Sequence, residues 1–341
     1  MENKLENKTT GAREDPSWKR AQKIAESIGP IHTLFRDVVP ALLKLGSEPK
    51  NTKATDIFAL LRLFQGPSVK SIIYHAAREL YPENFQNGEE VNGQALLNSF
   101  SPEEICAIIS ASYLYQQVQN KVDPKLWDKL ASEIRVQLEI GARVGRAQPE
   151  IGCGRGMLVG AVRYLALALL SQIDGRSFRQ YLRELNDRDV ICDLALERNL
   201  WGCDHLQVAS ILLQGFRFGR AVANGIVLGL DPEASCEELD SDALRWRAAG
   251  LWIESLMQDT EFPRDESTAI FEMEDAVLED LQARAEEIAA GGGEFTWITK
   301  RKEDLDPQIL KRLKLKSIAL GSGESVDVAG KSSDPFRPEG E

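Results

Sequence analysis

Histidine is scarce in this chain: His32, His75 and His205 are the only three among 341 residues. A hydrolase that activates water on bound metal needs several imidazoles and carboxylates converging on one place. His32 and His75 lie far apart in sequence and share no ligand spacing, so the sequence offers no plausible metal cage. Paired cysteines are also missing. Cys106, Cys153, Cys192, Cys203 and Cys236 are odd in number, widely spaced and without a CxxC, a pattern that predicts reduced, mostly buried thiols and a cytoplasmic protein. Positive charge is in deficit. The formal net charge of −12 argues against nucleic acid or an anionic membrane as a partner, because both are bound through basic surfaces. The N-terminal residues "MENKLENKTTGAREDPSWKR" contain no apolar core, which excludes a signal peptide there. The longest apolar run, "GMLVGAVRYLALALL", is interrupted by Arg163 and is too short to span a bilayer. No period-2 run reads as a strand, and no repeat of fixed period is present.

What remains is helical. In "SPEE", Ser101 caps a helix, Pro102 fits its first turn and Glu104 closes a capping box. In "DPKLWDKLASEIRVQLEIGARV", Asp123 caps and Pro124 enters the first turn, and Leu126, Leu130, Ile134, Leu138 and Ala142 share one face. Further helices are expected at 56–64, 68–80, 157–171, 177–185, 188–199, 205–215, 219–229, 241–258 and 266–289, with 295–299 extended. The fold class is therefore all-α, a multi-helix globule with disordered N- and C-terminal tails. The expected organisation is a disordered segment over 1–22, a helical domain over 23–260, a C-terminal helical extension over 261–318 and a disordered tail over 319–341. The basic stretch "KRKEDLDPQILKRLKLK" reads as a solvated, partly helical arm that could dock an acidic partner.

The stretch "PEIGCGRGMLVGA" at 149–161 places an acidic residue before GxGxG. It resembles the first motif of S-adenosylmethionine-dependent methyltransferases, where glycines let backbone amides approach the cofactor between a strand and a helix. The preceding "GARVGRAQP" is polar and ends in proline, unlike a buried parallel strand, and no strand–helix alternation follows. The favoured reading is a flexible loop feeding a helix that begins near Met157, with no cofactor.

A second pattern lies at 197–216, "ERNLWGCDHLQVASILLQGF". Asp204 is placed to cap a helix starting at His205. Glu197 stands eight residues earlier, across a turn containing Gly202. A buried imidazole paired with this carboxylate would hold the turn shut. The order Glu197, Gly202, Asp204, His205, Val208 and Ala209, with Phe216 near the place of a usual Trp, resembles the signature of HDOD domains. These are helical relatives of HD-type phosphohydrolases. "LWDKLASEIRVQLEIGARV" and "MLVGAVRYLALALLSQIDGRSFRQYL" are similar to the family's preceding helices, and "IGPIHTLFRDVVPALLKL" and "GPSVKSIIYHAA" resemble its opening segments. The resemblance spans roughly residues 24–258, and 23–260 would be the HDOD-like domain. This chain departs from the pattern where relatives carry His-Asp, having Arg163 and Tyr164 instead. It carries Leu228 and Gly229 where many relatives end a later helix with histidines. The family's upstream Asp-Pro and Asn are also missing.

The resemblance implies a non-enzymatic module of bacterial signal transduction, a pseudoenzyme acting through protein–protein interaction or small-ligand binding. No residue is expected to be catalytic and none to ligate metal. Glu197, Gly202, Asp204 and His205 form a structural signature, and Arg163, Tyr164 and Trp201 are candidate binding residues. A protein partner in a signalling pathway is expected, a homodimer is compatible with the sequence, and no nucleic acid or membrane is. The rival readings are a degenerate HD-type phosphohydrolase, a methyltransferase using "EIGCGRG", and an unrelated helical interaction scaffold.

Overall fold

The structure is a computed structural model that describes residues 15–48, 60–85, 93–188, 190–258, 260, 263, 265–291, 293–313, 317–319, 325–327 and 335–336. Its principal helices are α1 (Pro16–Ala25), α2 (Thr33–Ser47), α3 (Pro67–Leu80), α4 (Pro102–Gln119), α5 (Pro124–Ala147), α6 (Cys153–Ser171), α7 (Gly175–Arg188), α8 (Leu194–Trp201), α9 (His205–Gly215), α10 (Ser241–Gln258) and α11 (Asp275–Gly291). Among the described residues the only strands are a small antiparallel ribbon, β1 (Ser317–Ala319) with β2 (Ser325–Asp327).

The two strongest sequence signals for helix starts work as local chemistry demands. The Ser101 hydroxyl accepts from the Glu104 amide at 3.2 Å, and the Glu104 carboxylate accepts from the Ser101 amide at 2.6 Å. Asp123 accepts from the amides of Lys125 and Leu126. Each cap satisfies backbone donors that have no partner inside the helix.

Helix α6 runs through the centre, packed against α5 and α4 and also touching α1, α7, α9 and α10. It is apolar on most of its surface, as a largely enclosed helix must be, with Arg155 and Arg163 the charged exceptions, each paired to a carboxylate. Its 19 residues make it long and apolar enough to cross a membrane by length and composition, which the interrupted run had argued against. The helix starts at Cys153, four residues before the expected Met157, and all its residues but Arg155 and Tyr164 are buried inside the molecule.

The early start overturns the loop reading of "GCGRG". Gly154 and Gly156 lie within α6. A Cβ on Gly156 would overlap the Gly141 carbonyl of α5, and one on Gly160 would overlap the Gln137 carbonyl. Gly145 sits equally close to Gly152. These glycines let two helix backbones approach where any larger residue would hold them apart. That same closeness fills the space a cofactor would need beside their amides.

Other boundaries also move. Residues 16–22, expected to be disordered, form most of α1. Asp15 caps it and Pro16 enters its first turn, the same pairing as Asp123–Pro124, while Ala21, Ile24 and Ala25 are buried. The expected helix 266–289 is broken into Glu266–Ile270 and α11, because Phe271 and Met273 between them turn into the core. The extended segment near 295–299 is a short 3-10 turn, Trp297–Thr299. The expected helix 219–229 is α-helical only over Arg220–Asn224 and continues as a π-turn over Gly225–Gly229. Of the expected helix 56–64, residues 60–63 are helical and 56–59 lie outside the described residues. The N-terminal expectation for 1–14 and most of that for 319–341 also lie outside them.

The C-terminal extension packs onto the body. Helix α11 buries Leu278, Leu281, Ala285 and Ile288 and lies against α5 and α10. Trp297 is buried against α3 and α4, where the Glu79 carboxylate accepts from the Thr296 and Trp297 amides at 2.8 and 3.1 Å.

Candidate functional site

The turn between α8 and α9 brings four of the expected residues together. Gly202 ends α8 with φ of 77°, a left-handed conformation that strains side-chain-bearing residues. The chain reverses there and Asp204 starts α9. Its carboxylate accepts from the Gln207 amide at 2.8 Å, and the Gln207 side-chain oxygen accepts from the Asp204 amide at 3.1 Å. The other Asp204 oxygen is 2.7 Å from Arg198 Nε.

Glu197 and His205 are both fully enclosed. His205 Nδ1 lies 2.9 and 2.8 Å from the two Glu197 oxygens, and the His205 amide donates to Oε2 at 2.7 Å. The Tyr181 hydroxyl of α7 donates to Oε1 at 2.5 Å. Three donors therefore converge on one carboxylate, which removes the penalty of enclosing it unpaired. A carboxylate can only accept, so His205 Nδ1 is the donor in this contact. Nε2 is buried without a hydrogen-bond partner in the protein. Burial, and then the Glu197 charge, push the Tyr181 phenol far above its usual range. The phenol is thus a fixed donor and not a proton carrier.

Helix α1 closes this corner from outside. Ser17 Oγ accepts from Gln207 Nε2 at 2.8 Å, and Arg20 Nε donates to the Trp201 carbonyl at 3.2 Å. Sequence reasoning missed this clasp because the residues between 17 and 207 give no local sign of it. Trp201 itself is buried, with its ring 5.1 Å from Tyr181 and 6.2 Å from Phe178. It belongs to the packing around the latch.

Arg163 and Tyr164 sit elsewhere on α6. Arg163 is buried and its guanidinium is 2.5 Å from Glu254 of α10. Burial is the largest influence on its pKa and pulls it down, but Glu254, with smaller help from Cys192 and Tyr164, more than offsets this and leaves it raised. The space beside it, lined by Cys192, Asp231, Arg247 and Glu254, amounts to about 40 Å³. That is far below the roughly 300–1,000 Å³ of small-molecule sites. Burial pushes the Tyr164 phenol up to about 12. Cys192 is likewise raised by burial, to about 11, and Cys203 by burial and then Asp204, to about 12. Neither thiol is poised as a nucleophile.

A fixed cation at position 163 does not suit a divalent metal, and no three His, Cys, Asp or Glu side chains among the described residues are grouped to hold one. The described residues therefore do not fit the metal centre of the HD-type hydrolases. A separate open groove of about 720 Å³ lies between α1 and α9. Trp18 and Gln22 line it on one side and Ile211, Leu212 and Gln214 on the other.

No protein-family model matches the sequence, and no curated protein sequence matches it either. The structure is similar to that of an HDOD domain protein of unknown function from Geobacter sulfurreducens. The TM-score is 0.53 at 14% identity, covering 82% of this chain and 98% of that one. A protein from Shewanella amazonensis named as a candidate phosphohydrolase aligns with a TM-score of 0.47 at 13% identity, over 86% of this chain and 98% of that one. The helical order, the Gly202 turn and the likeness to the Geobacter protein together give this chain an HDOD-like fold.

Proposed function

We propose that this chain is a non-enzymatic HDOD-like regulatory module of a bacterial signalling pathway, working in the cytoplasm by binding a protein partner or a small ligand. The observation that supports this most is the closed state of its polar centre. Glu197 already accepts from Tyr181, from the His205 ring and from the His205 amide. Where the resemblance places a metal-binding His-Asp, the chain carries Arg163, tied to Glu254. A reaction centre needs groups free to meet substrate; here the Glu197 carboxylate and His205 Nδ1 are engaged with each other, and Nε2 is buried away from solvent.

The reading is tested by incubating the purified chain with Mn²⁺, Fe²⁺ or Zn²⁺, removing excess metal, and measuring both bound metal and turnover. The substrates are bis-p-nitrophenyl phosphate and a nucleotide series. The expected result is no stoichiometric metal and no turnover above buffer. One metal per chain together with hydrolysis abolished by His205→Ala would replace this reading with that of a phosphohydrolase.

A further inference from the structure

Near the C-terminus, the described residues Pro335 and Phe336 pack against the body in a specific setting. Pro335 is buried and Phe336 is half-buried. The Phe336 ring meets Phe35 edge-on at 5.5 Å and Tyr113 edge-on at 6.0 Å. Those two rings are 4.9 Å apart, and Phe216 lies 5.8 Å from Phe35 and 5.7 Å from Tyr113. The cage is drawn from three separate elements: Phe35 from α2, Tyr113 from α4 and Phe216 from the end of α9. Pro335 lies over Gly66, at the start of α3, so closely that a Cβ there would come within 3.4 Å of the proline ring.

The sequence around the dipeptide has the make-up of a peptide ligand. In "GSGESVDVAGKSSDPFRPEGE", residues 321–341, Phe336 is the only aromatic. A single aromatic anchor can supply most of the contact energy of a short motif, and Phe336, half-buried against Phe35 and Tyr113, holds that place here. The preceding proline fixes its own φ and reduces the ordering cost of docking. Tethering to the body raises the tail's effective concentration at the cage to about the millimolar range. Even a weak anchor can thereby be held in place in cis.

We propose that the Phe35–Tyr113–Phe216 cage is a docking site for proline–aromatic peptides, and that the chain's own Pro335–Phe336 is its resident ligand in cis. The site recognises an aromatic side chain preceded by proline. This goes beyond the non-catalytic reading, and a turnover result at the latch would leave it untouched.

The test uses a fluorescein-labelled peptide with the sequence of residues 331–341, titrated by anisotropy against the full-length chain and its Phe336→Ala variant. The expected result is saturable binding to the variant, at least about tenfold tighter than to the wild type, whose cage the tethered tail occupies. A peptide with alanine in place of its phenylalanine should bind neither. Absence of binding to a folded variant, or equal binding to both chains, would overturn the proposal. So would a wild-type dimer that Phe336→Ala dissociates, because the tail would then dock in trans. Should the variant misfold, 4-fluorophenylalanine at position 336 of the otherwise wild-type chain provides a second readout. Excess unlabelled peptide should move its ¹⁹F resonance to the position of the free tail, and an unmoved resonance would count against displacement.

Discussion

His205 and Glu197 are joined twice: the His205 backbone amide reaches the Glu197 carboxylate at 2.7 Å and the ring Nδ1 reaches it at 2.8 Å. The first contact fixes where α9 begins, and the second fixes the ring. The pair therefore sets the angle between α8 and α9 as well as satisfying two enclosed polar groups. The Ser17 and Arg20 contacts of α1 depend on that corner keeping its shape.

The seam between α5 and α6 is expected to be intolerant of a single methyl group. Gly156→Ala would drive a Cβ into the Gly141 carbonyl, and backbone cannot yield as a side-chain tip can. The expected loss is at the upper end of overpacking costs, about 3 kcal/mol or more. Gly175→Ala is the control, since its Cβ would meet nothing nearer than the Arg179 side chain at 3.8 Å. Chemical denaturation of both variants checks this; equal midpoints would contradict a close-packed seam.

The Arg163–Glu254 pair should be costly to break and cheap to replace. Arg163→Met leaves Glu254 facing an apolar wall, and Glu254→Gln leaves the buried guanidinium with a weaker partner. Each single change is expected to cost about 3 kcal/mol, the lower end for buried pairs because Glu254 is partly exposed. The double variant Arg163→Met, Glu254→Leu should recover much of that loss. Four urea curves measure it, and single variants as stable as the wild type would show that the ion pair contributes little.

Acid should weaken the attachment of the C-terminal turn at His75. Its Nε2 is 3.3 Å from the Asp304 carbonyl, and its pKa is depressed, chiefly by burial, with Lys300 and Arg78 adding to the effect and Asp304 opposing it. A base whose folded pKa is depressed contributes stability above its unfolded pKa, and that contribution is lost as pH falls through the folded value. The wild-type melting temperature should therefore drop on acidification from neutral through pH ~6.5 and below, more steeply than that of His75→Gln. Glu79 works in the other direction: burial raises its pKa, so its contribution is lost as pH rises. Parallel pH profiles for wild type and His75→Gln would remove His75 from the account.

Residues whose partners are local were legible in the sequence. Ser101–Glu104 and Asp123–Pro124 announced two helix starts, and the spacing of Glu197, Gly202, Asp204 and His205 placed a carboxylate and an imidazole across one turn. The enclosed helix was harder to bound, because α6 is apolar over most of its surface and shows no clear period from which to read its start. Its glycines make sense only with Gly141 and Gln137 of α5 beside them. The break at Phe271 was hidden for a similar reason: apolar residues continue through it, and only the core decides that Phe271 and Met273 point inward. Asp15–Pro16 carried the same signal as Asp123–Pro124 but was lost in a polar neighbourhood. Phe336 gave no signal, because its cage is assembled from three distant elements.

The central claim is that Glu197 and His205 form a latch and not a reaction centre, and a double-mutant cycle on their unfolding free energies tests it most directly. His205→Ala and Glu197→Ala each leave a buried polar partner stranded, so each should cost about 3–5 kcal/mol. The double variant should lose clearly less than the sum, since the second change removes a group already unpaired. Full additivity, or single variants with wild-type stability, would contradict the latch and return His205 to consideration as a functional side chain.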